Sequence, residues 1–171
     1  QIWILDRRGG EAIRLTDVKG DLSDYEWSPD GKKIALIIKD PPDTGKGKPP
    51  QPYVINPYRF KHDVSGYIYD NRANHLYVFD VAGKKLDTLT KGVYNETSPQ
   101  WSPDGSKIAF VSNRTEDPDK NSNTDIWIIE AKKGAQPVQF TTWKGSDHSP
   151  QWSPDGKTIA VVDDAKSTVN L

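Results

Sequence analysis

An all-β fold of four-stranded antiparallel blades is what this sequence predicts, and two repeats predict it. The first is Trp27-Ser28-Pro29-Asp30-Gly31, which returns as Trp101-Ser102-Pro103-Asp104-Gly105 and as Trp152-Ser153-Pro154-Asp155-Gly156. Each copy runs through a Lys or Ser and then a Lys or Thr into Ile-Ala and further apolar residues (34–38, 108–111, 159–162). Pro presets φ at the first corner of a turn, Asp bonds back to nearby backbone, and Gly accepts the left-handed conformation that follows. Such a turn between two apolar runs signals a hairpin, with Trp closing the incoming strand.

The second repeat is out of phase with the first. Gln1-Ile2-Trp3-Ile4-Leu5-Asp6 matches His75-Leu76-Tyr77-Val78-Phe79-Asp80 and Asp125-Ile126-Trp127-Ile128-Ile129-Glu130. Each is followed by a Gly-bearing turn (Gly9-Gly10, Gly83, Gly134) and a short strand ending near Leu15-Thr16, Leu89-Thr90 or Phe140-Thr141. Trp27 and Trp101 lie 74 residues apart, as do Ile2 and Leu76; the next intervals are 51 and 50. Both motifs therefore belong to one unit of four strands, a β-propeller blade. The chain reads as a β-propeller fragment of about three blade equivalents.

In chain order, 1–16 read as the two outer strands of a blade and 23–90 as a blade carrying an inserted loop at 40–73. A second blade follows at 97–141, and 148–163 read as the inner hairpin of another. The runs 34–38 and 75–80 are nearly continuous in apolar residues rather than alternating, the pattern of strands buried on both faces. Within the insertion, 40–52 carries five prolines and two glycines, so an exposed loop with polyproline character is expected there. A proline-recognition ligand is its functional reading and a bland insertion the expected one. Tyr53-Val54-Ile55 reads as a short strand. Insertions of this kind map to one end of a propeller, often the binding end.

Composition sets bounds on function. With 171 residues, 34% of them hydrophobic, the chain can bury a core as one domain. Twenty-three basic against 24 acidic residues give a net charge of −1, which offers neither nucleic acid nor an anionic membrane an attractive surface. The longest apolar run is the five residues 34–38, too short to span a bilayer as a helix. No cysteine is present, which excludes disulfides and thiolate metal sites here and fits cytoplasm and periplasm equally. The chain lacks an initiating Met and starts inside a strand, so an excised piece of a longer polypeptide is expected.

Few residues carry chemistry. A nucleophile elbow needs Gly-x-Ser-x-Gly, and that string is absent, so no catalytic residue is expected within the chain. His62, His75 and His148 are isolated in sequence. For His75, before an apolar strand, and His148, at a repeat position held elsewhere by Ser23 and Thr97, packing or surface roles are expected. Arg59, His62 and Asp63, in the inserted segment, are the candidates to face a substrate. Asp117, Asp119, Asn121, Asn123 and Asp125 place oxygens at alternate positions, as a calcium loop would. Ser122, however, stands where an EF-hand needs Gly, and Ile128 where it needs Glu, so a polar loop is the plainer reading and no metal or cofactor is assigned. Asn95-Glu96-Thr97 and Asn113-Arg114-Thr115 match the glycosylation string. Gly45-x-Gly47 has no helix after it to cradle phosphate. The recurrence of Trp27, Trp101 and Trp152 at one repeat position is assigned to core packing.

The paired motifs Trp-Ser-Pro-Asp-Gly-Lys-x-Ile-Ala and Ile-Trp-Ile-x-Asp…Leu-Thr resemble the TolB-type propeller repeat. Residues 53–133 further resemble the propeller of the prolyl oligopeptidase family, in its acylaminoacyl-peptidase and dipeptidyl aminopeptidase branch. The residues in question are Gly66-Tyr67 leading to His75-Leu76-Tyr77-Val78-Phe79-Asp80-Val81, then Leu89-Thr90-Lys91-Gly92 and Pro99-Gln100-Trp101-Ser102-Pro103-Asp104-Gly105. Phe110-Val111-Ser112-Asn113-Arg114 before Asp117-Pro118-Asp119 completes the set. The resemblance implies an N-terminal propeller capping a C-terminal α/β-hydrolase, a serine peptidase domain that lies outside this sequence, and peptides as the molecules screened. A TolB-like propeller that binds a protein or peptide without any hydrolase is the alternative. A propeller-based polysaccharide lyase is a third option, disfavoured by the shortage of histidines for a metal site.

A last expectation concerns assembly. Two half blades leave unpaired edges, and two chains joined head to tail would supply each other's missing strands and close a six-bladed ring.

Overall fold

A computed structural model describes residues 1–41, 61–62, 66–67 and 72–164, and among them every regular element is a β-strand. Strands β1 (Trp3–Ile4) and β2 (Ile13–Arg14) form an antiparallel pair. Strands β3 (Asp21–Trp27) and β4 (Lys33–Lys39) are followed by a small hairpin, β5 (Lys61–His62) and β6 (Gly66–Tyr67). With β7 (Asn74–Asp80) and β8 (Lys85–Thr88), strands β3 and β4 make a four-stranded antiparallel sheet in the order β3-β4-β7-β8. The next sheet repeats that meander with β9 (Glu96–Trp101), β10 (Lys107–Ser112), β11 (Asp125–Glu130) and β12 (Val138–Gln139). A final pair joins β13 (Asp147–Trp152) to β14 (Ile159–Asp163). This is the expected fragment of a propeller. The reading of 53–55 as a strand falls outside the described residues.

The repeated turn explains why the hairpins fold where they do. Ser28 Oγ donates to Asp30 Oδ1 (2.7 Å) and accepts from the Lys33 amide (2.9 Å), while Asp30 Oδ1 accepts from the Lys32 amide (3.1 Å). Ser102 with Asp104, and Ser153 with Asp155, repeat the arrangement. Gly31, Gly105 and Gly156 sit at φ 68, 69 and 70°, the left-handed conformation that glycine adopts without strain. A different constraint fixes Gly20, where an added Cβ would lie 2.2 Å from the Lys39 carbonyl oxygen.

Alternation along β4 accounts for its unbroken apolar run. Ile34, Leu36 and Ile38 pack with Ile2, Leu15 and Val18 on one side. Ala35 and Ile37 face the other way, against Trp101, Ile108, Phe110 and Ile129 of the following sheet. Ala109, Val111 and Ile126 then meet Trp152, Ile159 and Val161. Each four-stranded sheet is thus covered on both faces by its neighbours, which removes the need for alternating polarity.

Bulges in the edge strands place two acids inside. Glu96 lies five residues before Trp101 on β9, yet their partners Ser112 and Ile108 on β10 are four apart. The extra residue, with Ser98 at φ 51°, brings Glu96 onto the same face as Trp101 rather than the opposite one. Asp147 and Trp152 on β13 are related in the same way, with Ser149 at φ 54°.

Candidate functional site

Strand register gathers the long connections on one face. Asp21 pairs with Lys39 and Lys39 with Asn74, Glu96 with Ser112 and Ser112 with Asp125, and Asp147 with Asp163. On this face the chain leaves β4 and re-enters β7, and segments 113–124 and 140–146 emerge here. The Ser-Pro-Asp-Gly turns occupy the opposite face.

Just beneath the connection-bearing face, a group of charged side chains joins the two four-stranded sheets. Glu96 is fully buried. Its Oε2 accepts from Thr90 Oγ1 at 2.8 Å and faces His75 Nδ1 at 3.1 Å, while Oε1 accepts from Arg114 Nη2 at 2.7 Å. The other imidazole nitrogen of His75 lies 3.5 Å from Asp40 Oδ2, and Tyr77 donates its hydroxyl to Asp40 Oδ1 at 3.2 Å. A carboxylate stands at each nitrogen of His75, an arrangement that favours the doubly protonated ring. The hydrogen bond to Glu96 is the main cause of its raised pKa, opposed by burial and assisted by the charges of Glu96 and Asp40. Burial first, and the Asp40 charge second, push the Tyr77 hydroxyl up to about 12. The Arg114 guanidinium also stands over the rings of Trp127, Tyr94 and Phe110 at 4.9, 5.3 and 5.5 Å, where cation–π attraction adds to the ion pair. Two carboxylates thus meet a histidine and an arginine, and each of these side chains has a partner within the group. The arrangement is a latch between blades.

Threonines and tryptophans complete each junction. Thr16, Thr90 and Thr141 are buried, and each Oγ1 accepts from a strand amide, that of Ile2 (2.9 Å), Leu76 (2.8 Å) or Ile126 (3.0 Å). Trp101 Nε1 donates to the Glu26 carbonyl (3.1 Å), and Trp152 Nε1 to the Gln100 carbonyl (3.2 Å). Every such bond runs from one blade's Trp to the residue before the preceding blade's Trp. Glu26 itself, on β3, has its carboxyl pushed up to about 7, by burial first and the Asp24 charge second. Beside the latch a cavity of about 340 Å³ is lined by 88–91, Arg114 and 133–137, with Lys91, Arg114 and Lys133 as its cationic side chains.

Of the substrate-facing candidates, His62 lies in β5, paired with Gly66; Arg59 and Asp63 lie outside the described residues, as does most of 40–52. The alternating oxygens of 117–125 are engaged in different ways. Asp117 pairs with Lys120 (3.0 Å). Asn121 Oδ1 accepts from Asn113 Nδ2 and the Asn123 amide, both at 2.9 Å, and Asn123 Oδ1 accepts from the Gly145 amide at 2.9 Å. Asp119 has interactions of its own, and Asp125 has left the loop for β11, where it faces Asp147. His148 is half-exposed, with Nε2 3.3 Å from Asp164. Among the glycosylation strings, Asn95 Oδ1 accepts from the Asn74 amide (2.9 Å), and the Asn113 amide group is tied into its own loop. Sequence reasoning missed Asp40, Glu96, Arg114 and Asp147. Their signal was available for two of them: Glu96 and Asp147 both stand five residues before a repeat Trp, where the first copy has Leu22.

Comparisons with known proteins complete the description. The TolB beta propeller domain family matches residues 65–171. A protein of Bacillus subtilis (strain 168), described as uncharacterized peptidase YuxL, is 36% identical over 84 residues, 47% of this chain and 12% of that protein. Dipeptidyl-peptidase 5 of Aspergillus fumigatus is 31% identical over 143 residues, 83% of this chain and 18% of the relative. The chain therefore spans less than a fifth of the length of these relatives. Among solved structures, the putative TolB from Agrobacterium tumefaciens superposes with a TM-score of 0.65 at 21% identity, over 94% of this chain and 44% of that one. That likeness shows the fold.

Proposed function

The chain belongs to the TolB beta propeller domain family, and from that premise we propose that it is a non-catalytic propeller segment of a larger serine peptidase. In this reading the blades limit which peptides reach a hydrolase domain carried elsewhere in the same polypeptide. The observation that carries the proposal is the 31% identity to dipeptidyl-peptidase 5 across 83% of the chain. Blades locked to one another support it, because a screen by size works only while the wall stays closed. Arg59, His62 and Asp63 remain the candidates to meet a peptide.

The reading is tested in the parent polypeptide. Sequence beyond the codon for Leu171 is expected to encode further blades, then Gly-x-Ser-x-Gly followed by an Asp and a His. The purified parent is expected to release dipeptides from short chromogenic substrates while leaving folded proteins intact, and Glu96→Ala, which opens the latch, to admit longer substrates. A parent with no hydrolase would instead favour a propeller that docks a protein or peptide. A parent that cleaves peptides with unchanged size preference in Glu96→Ala would remove the gating role.

For the isolated chain, we propose head-to-tail pairing of two copies. Trp3 (59% exposed) and Ile13 (67%) on the β1–β2 pair, and Val162 (49%) on β14, are the apolar residues that pairing would cover. Light scattering showing a stable monomer at high concentration would sink that idea.

A further inference from the structure

The second blade junction repeats the geometry of the first with the opposite charge balance. Asp125 opens β11 as His75 stands near the start of β7, and Asp147 opens β13 as Glu96 opens β9. Both acids are buried, Asp147 completely and Asp125 at 4% exposure. Asp125 Oδ2 accepts from Gln139 Nε2 at 3.1 Å, and the Thr141 hydroxyl also faces this carboxylate. Among the described residues, no hydrogen-bond donor reaches Asp125 Oδ1 or either carboxylate oxygen of Asp147. Backbone bonds fix the pair in place. The Asp147 amide donates to the Thr124 carbonyl (2.7 Å), and Thr124 Oγ1 donates to the Asp147 carbonyl (3.0 Å).

Three orphaned carboxylate oxygens inside a protein call for either protons or a counter-charge, because burial penalises each unpaired charge and the two acids repel. At the first junction His75 and Arg114 supply that charge. We propose that at the second junction Asp125 and Asp147 form a cation site between β11 and β13, taking a hard divalent ion of the size of calcium. All the free donors are oxygens, and two carboxylates match a divalent charge. Complete burial of Asp147 favours calcium over magnesium, which gives up its waters reluctantly. No third acidic, imidazole or thiolate ligand joins the pair among the described residues, so carbonyls, hydroxyls and water complete the coordination. The site differs from the 117–123 loop, whose oxygens bond to Asn113, Lys120, Asn123 and Gly145.

The test is calcium titration of the chelator-treated 171-residue chain at pH 7.5, followed by calorimetry and thermal unfolding. One saturable site and a rise of several degrees in the unfolding midpoint are expected. Asp147→Asn is expected to unfold at a higher temperature than wild type in chelator and to gain nothing from calcium; Asp125→Asn serves as the second such variant. Asp117→Asn is expected to respond like wild type. A wild-type chain indifferent to calcium would overturn the proposal. So would an Asp147→Asn chain that still responds, or loss of the response in Asp117→Asn.

Discussion

Two junctions in this molecule share a backbone plan and differ in what fills it. Between the four-stranded sheets, His75, Arg114 and Thr90 surround Glu96, and all four carboxylate and imidazole positions have partners. Between the second sheet and the β13–β14 pair, the equivalent positions hold Asp125 and Asp147, and three oxygens have none. A third copy of the plan, formed by Gln1, Thr16 and Leu22, uses no charged side chain: Gln1 Oε1 accepts from Thr16 Oγ1 at 3.0 Å, and Leu22 packs against the apolar cluster. The difference teaches that the blade repeat fixes where a junction residue sits, while the residue itself decides whether the junction is latched, neutral or in want of a cation.

The strongest way to break this contrast is Glu96→Ala. It leaves Arg114 without its carboxylate and His75 with Asp40 alone, and breaking a buried pair of this kind costs about 3–5 kcal/mol, to be read by denaturant unfolding. The contrast is sharpened by Asp125→His, which gives the second junction the chemistry of the first. In chelator at pH 6 this change is expected to stabilise the chain by about 1–2 kcal/mol, the scale of a pKa shift of one unit or so, and to abolish any calcium response.

Trp101→Phe removes the bond from the indole to the Glu26 carbonyl and is expected to cost about 1 kcal/mol, more than Trp152→Phe, whose ring is less buried. Glu26→Gln has the smallest effect and tests a sign. The raised Glu26 carboxyl binds its proton more tightly in the folded chain, so stability falls as pH rises between about 4.5 and about 7. Glu26 is partly exposed, which limits the fall to about 1 kcal/mol, and Glu26→Gln is expected to flatten that part of the profile. His75 acts in a different window. Its pKa is raised by its partners, so its contribution is complete below the ordinary histidine value and is lost as pH climbs through the folded one.

The blades were legible because Trp-Ser-Pro-Asp-Gly encodes a hairpin by local chemistry alone, and because β4 and β7 carry runs too apolar for a half-exposed sheet. The latch was not legible. His75 and Glu96 are 21 residues apart, and Glu96 precedes Thr97 and Ser98 in what reads as a polar strand start. Only the bulge at Ser98 turns it inward, and nothing in the composition of a strand announces a bulge. The repeat Trp residues show the same limit. Core packing is right for Trp101, at 5% exposure, but Trp27 is 41% exposed. The sheet beside Trp27 has, among the described residues, only the pair β1–β2, so no inner strand offers its indole a carbonyl.

Those indole bonds give the stack a direction. Each blade presents a donor on one side and an acceptor on the other, so blades join only in the sense Trp152 to Gln100, Trp101 to Glu26, and never face to face. An interface with unlike sides has no built-in stopping point. It ends by curving back until the last donor meets the first acceptor, or else it goes on adding units as an open helix. The number of blades in a closed ring is then set by the rotation between one sheet and the next, a property of the packed side chains rather than of any single bond.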